Sequence, residues 1–307
     1  MAVLAYLVRR LLWGIPVLLL ISLITFLLMH AVPGGPFDRE KKLPPHIIEN
    51  LNRKYRLDEP LWKQYLRYMG GVLRLDFGPT YSSTTRTVND IFREQFPVSA
   101  HLGLMAMALA VGVGVPLGVI SALRHNTIVD YASMAFAVLG VSVPSLALGP
   151  FLMWLFALKL KLLPPATWQG PAYWVLPTLT LGTHYIAYIA RLTRASMLEV
   201  WQEDYIRTAR AKGLGEGLII LRHALRNGLI PVVTVLGPIF AAVVTGTLVV
   251  EQIFGIPGLG KFYVQSIGNR DYPVIMGTTL LYGFVIVIAN ILVDISYAYL
   301  DPRIRLK

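Results

Sequence analysis

The chain has no cysteine among its 307 residues, which excludes disulfide staples, thiolate metal sites and a cysteine nucleophile. Charge is scarce too. Asp, Glu, Lys and Arg make up 15% of the residues, against about 25% in an ordinary soluble domain. Acid is the scarcer sign, with 17 Asp and Glu facing 28 Lys and Arg for a formal net charge of +11. Neither a His-Glu-x-x-His zinc pattern nor a Gly-x-Ser-x-Gly elbow occurs, so no catalytic or metal-ligating set is expected. Internal repeats and low-complexity tracts are missing as well. What remains is apolar sequence: 55% hydrophobic residues and a mean hydropathy of +0.58 describe an all-α membrane protein. The surplus base lies beside apolar runs, where Lys and Arg set orientation, and that accounts for the charge without nucleic acid.

Six runs approach or exceed the roughly 20 apolar residues that a bilayer core requires. They cover about 11–31, 97–123, 131–158, 173–190, 229–250 and 274–297, within one domain over 1–307. The first follows Arg9-Arg10 and is longer than a signal-peptide core, so it is expected to be retained. Residues 32–96 turn polar and are punctuated by Pro and Gly, predicting an external loop with short amphipathic helices at 46–56, 61–73 and 88–95. Pro16, Pro116, Pro144, Pro177 and Pro238 are expected to kink spans where neighbouring helices cover the freed carbonyls. With the first terminus inside, thirteen basic residues face the cytoplasm and four lie in the short outer loops, so both termini are expected inside.

One polar, basic, helix-prone stretch at 203–231 sits between the fourth and fifth runs. Charges of that density cannot rest in hydrocarbon, so it must be ordered at a membrane face. Asp204 to Lys212 reads as a short helix with Arg207 and Arg210 on one side and Tyr205, Ile206 and Ala209 toward another. Gly213 is placed to end it by taking a positive φ, and a second, more apolar helix is expected over 217–225. Pattern alone leaves two readings open, a docking handle for a soluble partner or a helix lying on anionic lipid.

Arg207-Thr208-Ala209-Arg210-Ala211-Lys212-Gly213, running on to Ile230-Pro231, resembles the signature cytoplasmic loop of importer-type ABC transporter permeases. That loop begins Glu-Ala-Ala in the family; here Ala209 and Gly213 are kept, and Arg207 and Thr208 replace the first two residues, as in the peptide-transport branch. Pro33-Gly34-Gly35-Pro36-Phe37, Asp76-Phe77-Gly78-Pro79, Phe96-Pro97-Val98-Ser99, Ser142-Val143-Pro144-Ser145, Ile256-Pro257-Gly258-Leu259-Gly260, Arg270-Asp271-Tyr272 and Asp301-Pro302-Arg303 extend the likeness, in order, to the B-type permease of oligopeptide importers. The resemblance implies a multi-pass subunit of the bacterial inner membrane forming half of a peptide-conducting pore. It further implies a paralogous permease subunit, two cytoplasmic ATPase subunits that carry ATP and magnesium, an extracytoplasmic peptide-binding protein, and no cofactor on this chain. Dipeptides, nickel complexes and haem are the alternative cargoes of the branch.

On that resemblance the coupling segment spans 199–228, and Tyr205, Arg207, Thr208, Ala209, Arg210, Lys212, Gly213 and Leu214 are expected to meet the ATPase. Ser142, Ser145, Thr180, His184 and Thr245 are pore-lining candidates, while Gly255, Pro257, Gly258, Gly260, Arg270 and Asp271 are candidates for an external gate or binding-protein contact. Gly255 to Lys261 also matches the first seven positions of a nucleotide-binding P-loop, but Phe262 stands where a magnesium-binding hydroxyl is required. The turn is expected on the outer face, away from ATP. Of the ionisable groups in spans, Asp294 is expected to pair with an inner-face arginine, and no carboxylate lies at the midplane where an ion-coupled carrier, the rival reading, needs one.

Overall fold

A computed structural model of the chain describes residues 2–37 and 44–300. The Asp301-Pro302-Arg303 motif lies outside the described residues. Helices account for all regular structure described, and the single strand-like contact is a bridge between Pro79 and Thr87. In order they are α1 (Ala2–Ala31), α2 (Pro45–Tyr55), α3 (Leu61–Val72), α4 (Val88–Leu123), α5 (Ile128–Ser142), α6 (Ser145–Leu152), α7 (Pro171–Trp201), α8 (Asp204–Ala211), α9 (Glu216–Leu218), α10 (Leu225–Gly228), α11 (Ile230–Val244), α12 (Leu248–Ile253), α13 (Leu259–Asn269) and α14 (Tyr272–Leu300). Wider π-helical turns extend α6 over Met153–Lys159 and join α9 to α10 over Ile219–Ala224.

Among the described residues four helices are long and apolar enough to cross a membrane: Val8–Ala31, Val88–Leu123, Ile230–Ile253 and Tyr272–Ser296. A fifth crossing arises only if Ile128–Gly140 and Ser145–Lys159 count together, and these are bent 95° from each other. The sequence suggested one kinked span there. Instead Val143 is extended (φ −96°, ψ 116°) and Pro144 precedes the first turn of α6, which suits proline's fixed φ and its lack of an amide hydrogen. The helix holding the expected fourth span, α7, has 31 residues and continues past Ala190 to Trp201.

A second departure concerns Pro97, read from sequence as the start of a span after a separate short helix. The helix runs straight through it, because nucleation lies upstream. Thr87 Oγ1 accepts from the Asp90 amide (3.2 Å) while the Asp90 carboxylate accepts from the Thr87 amide (2.9 Å). This reciprocal cap fixes the helix start well before the proline.

The centre of the fold is the pairing of α4 with α7. It is close because glycines on α4 face α7 directly: a Cβ on Gly118 would lie 2.5 Å from the Ala190 carbonyl oxygen, and one on Gly114 2.9 Å from that of Ile186. These glycines therefore mark a packing stripe. Around the pair, Leu102, Ala106, Leu176, Leu181, Val243, Val244 and Phe254 form the largest buried apolar cluster, joining α4, α7, α11 and the turn after α12. Helix α14 packs on α11 and on α1, whose outward face leaves Leu12, Trp13, Leu20, Leu27 and Leu28 exposed, as suits a lipid-facing helix.

Candidate functional site

Helix α8 is amphipathic in the strict sense. Ile206 is fully buried and Ala209 is 5% exposed, both seated in a cluster with Ala122 at the end of α4, Met197 of α7, and Ile219 and Ala224 of the following π-helical turn. Arg207, Thr208 and Lys212 face outward. Gly213 ends the helix as the spacing predicts, with φ +77°, while its amide bonds to Arg210 O (2.9 Å) and the Leu214 amide reaches Ala209 O (3.3 Å). That double bond pattern, with Leu214 packed in the same cluster as Ala209, is a Schellman cap.

Of the eight coupling residues proposed from the sequence, Ala209 points into the protein as an anchor and Leu214 packs behind it. Arg210 pairs with Glu216 (2.8 Å) and stacks on Trp201 (4.6 Å to the ring centre). Tyr205 is 37% exposed, its hydroxyl accepting from the Asn227 amide (2.8 Å), which ties the handle to α10.

Beside the handle lies an ion pair that sequence reasoning missed. Asp130, in the first turn of α5, is 1% exposed and takes a two-point grip from Arg194 of α7, Nε to Oδ1 at 2.8 Å and Nη2 to Oδ2 at 2.7 Å. Ser121 of α4 donates to the same carboxylate, and so does the Asn126 amide (3.0 Å). Three helices thus share one charge. Asp130 and Arg194 stand 64 positions apart in the chain. Asp294 pairs with Arg10 (2.7 Å), the inner-face arginine pairing expected of it.

At the other end of the fold two carboxylates are cradled by neutral donors. Glu251 of α12 is fully buried, and its Oε1 accepts from Ser99 Oγ (2.7 Å) and the Thr247 amide (3.2 Å), its Oε2 from the Lys261 amide (3.1 Å). Ser99 Oγ in turn accepts from the Leu259 amide (2.8 Å). The turn between α12 and α13 wraps so tightly that a Cβ on Gly258 would sit 2.3 Å from the Glu251 carboxyl carbon. Gly258 and Gly260 of the P-loop-like turn thus close over an internal carboxyl group.

Asp271, at the start of α14, is 1% exposed and accepts from Thr80 Oγ1 and from the amides of Tyr81 (3.1 Å) and Ser82 (3.0 Å), fastening residues 80–82 to the helix. Burial, with the Asp271 carboxylate next in weight, pushes the Tyr81 phenol above its ordinary value. Of the six outer-turn candidates, Gly255 and Pro257 are exposed, Gly258, Gly260 and Asp271 are buried, and Arg270 is half-buried with Nη1 toward Gly35 O (3.4 Å).

The pore-lining candidates differ in burial. Ser142, Thr180 and Thr245 each donate their hydroxyl to their own helix, and Thr180 is fully buried. Ser145 is half-buried, and His184 is exposed with its ring edge-on to Tyr185. Thr245 lines a cavity of about 290 Å³ shared with Tyr263, Thr278, Thr279 and Tyr282.

Long apolar helices around a tight α4–α7 pair, with a short amphipathic helix seated across their ends, define the membrane subunit of an ABC importer. The same fold occurs in the inward-facing MetNI methionine ABC transporter, at TM-score 0.55 and 17% identity, covering 69% of this chain and 96% of that one. The chain belongs to the family described as binding-protein-dependent transport system inner membrane component, which matches residues 114–306, and the N-terminal part of that family matches residues 3–102. It is thus an inner-membrane permease subunit. It is 49% identical over 301 residues to the dipeptide transport system permease protein DppB of Bacillus subtilis, covering 98% of each chain. It is 44% identical over 304 residues to the oligopeptide transport system permease protein OppB of Escherichia coli, covering 98% of this chain and 99% of that one.

Proposed function

We propose that the chain forms half of the translocation path of an ATP-driven peptide importer, with a paralogous permease as the other half. Peptide cargo is the reading favoured by relatives named for dipeptide and oligopeptide transport. ATP and magnesium belong to two cytoplasmic partner subunits, and an extracytoplasmic binding protein delivers the cargo. Six crossings with both termini inside follow if the bent α5–α6 pair and α7 each cross once.

The observation that carries this reading is the seating of α8. A helix that buries Ile206 and Ala209 against the ends of α4 and α7 while presenting Arg207, Thr208 and Lys212 is fitted to pass a push on its outer face into the bundle. Rigid-body movement between packed states is the usual output of such a push. Arg210 is held by Glu216 and Trp201, so it stiffens the handle as well as edging its surface.

The lack of cysteine makes the test clean. A Thr208→Cys variant, reconstituted with the partner subunits, should crosslink to an ATPase through a short bifunctional reagent. Failure to crosslink, or peptide uptake by liposomes that hold no ATPase, overturns the reading.

A further inference from the structure

A cavity of about 590 Å³ lies between the end of α1, the ends of α2 and α3, the segment after α3 and the start of α14. Its lining has an apolar part and a charged part. Phe26, Met29, Tyr68, Tyr81, Tyr272 and Met276 supply ring and thioether surface. Lys54, Arg56, Arg67 and Arg74 supply four cations, against one lining carboxylate, Asp76. Arg67 is paired with Glu59; Lys54, Arg56 and Arg74 have no acidic partner among the described residues.

Two further observations narrow the occupant. The Tyr68 hydroxyl is buried with no hydrogen-bond partner among the described residues, and burial raises its pKa, so it is a donor awaiting an acceptor. Arg74 is flanked by Leu73 and Leu75, which are 84% and 75% exposed, and Trp62 and Leu66 of α3 are 62% and 60% exposed. A cation between two bare leucines, beside an apolar helix face and a group of tyrosines, is the composition of a membrane interface.

We propose that this cavity is a binding site for an anionic phospholipid, its phosphate at Arg56 and Arg74 and its glycerol and upper acyl carbons against Tyr81, Tyr272, Phe26 and Met276. An anion with an apolar body matches both halves of the lining, its phosphate the arginines and its glycerol and acyl carbons the rings. The site rests on the topological part of the functional reading, which puts the end of α1 at the outer membrane boundary. A soluble organic anion shares the headgroup chemistry but has no use for the exposed leucines.

The test uses the full-length chain in nanodiscs of phosphatidylcholine doped with phosphatidylglycerol, followed by native mass spectrometry of the released protein. Wild type should retain phosphatidylglycerol over phosphatidylcholine. The Arg56→Ala/Arg74→Ala variant should retain it about a hundredfold less, at about tenfold for each charge-assisted hydrogen bond removed. Tyr68→Phe, which removes only the hydroxyl, should weaken retention by several-fold and thereby guards against a variant that misfolds. Equal retention of the two lipids, undiminished retention in the arginine variant, or inorganic phosphate competing as well as the lipid would overturn the proposal. Labelling of an Arg74→Cys variant from outside intact cells tests the topology separately: protection there sinks the functional reading as well, whereas labelling with no lipid preference sinks only the lipid site.

Discussion

The two ends of the bundle hold their buried acids in opposite ways. Near the handle, Asp130 is matched by a full counter-charge, Arg194, which is itself partly exposed and carried on a different helix. At the far end, Glu251 and Asp271 meet only hydroxyls and backbone amides among the described residues, and apart from Ser99 of α4 those donors come from chain wrapped around the carboxylate. An ion pair between helices depends on few atoms and can re-form after a shift of side chains. A cradle of amides is fixed by the path of the chain, so it breaks only if that path changes. Under the proposed function, the end with the arginine is the one that moves and the end with the glycines is the one that stays fixed.

Breaking the inner pair is expected to have the largest effect. Asp130→Ala removes the counter-charge of the partly exposed Arg194 and the acceptor that ties three helices together, and should cost about 3 kcal/mol, the low end of what removal of one partner of a buried pair costs. Thermal unfolding in detergent reads this loss, and an unchanged melting temperature would remove Asp130 from the account. Ile206→Ala empties the seat of α8 and should cost about 2–4 kcal/mol for a fully buried side chain. Because the cavity opens at the handle, uptake should fall while the chain still inserts, which paired uptake and membrane-fraction assays separate.

The outer end offers a sharper probe. Glu251→Gln preserves shape, yet all of the side chain's partners donate, so the new amide hydrogens would face other donors. A loss of about 1–3 kcal/mol is expected from the unmet groups; wild-type stability of this variant would mean that the carboxylate is not acting as an acceptor on both oxygens. The smallest effect belongs to Gly213→Val. Nothing lies within 4 Å of where its Cβ would go, so the cost is backbone strain alone at φ +77°, roughly 1–2 kcal/mol. That is too little to unfold the chain, but it falls on the cap of the handle. The expected result is ATP hydrolysis without matching uptake in the reconstituted importer.

Much of this was readable in advance because its causes are local. Four of the six apolar runs announced helices long and apolar enough to cross a membrane, and the spacing of Ile206, Ala209 and Gly213 announced a short capped helix. Local reasoning failed where distant groups decide. Pro97 looked like a boundary, but the Thr87–Asp90 cap had already set the helix. Only the approach of α7 shows that Gly114 and Gly118 are contact points. Asp271 was a candidate for the external gate or binding-protein contact on resemblance; its partners, Thr80 to Ser82, are about 190 positions away. The Asp130–Arg194 pair left no trace in the sequence for the same reason.

The turn that mimics a phosphate loop has one last implication. Its ring of glycines and inward-facing amides is suited to hold an oxyanion, but the seat is taken by Glu251, tethered only a few residues upstream. No free nucleotide can match the local concentration of a ligand built into the same strand of covalent bonds. Motif searches that weigh glycine spacing alone will therefore mistake a self-plugged anion hole for an ATP site, and the residue that unmasks it is the acid that precedes the glycines.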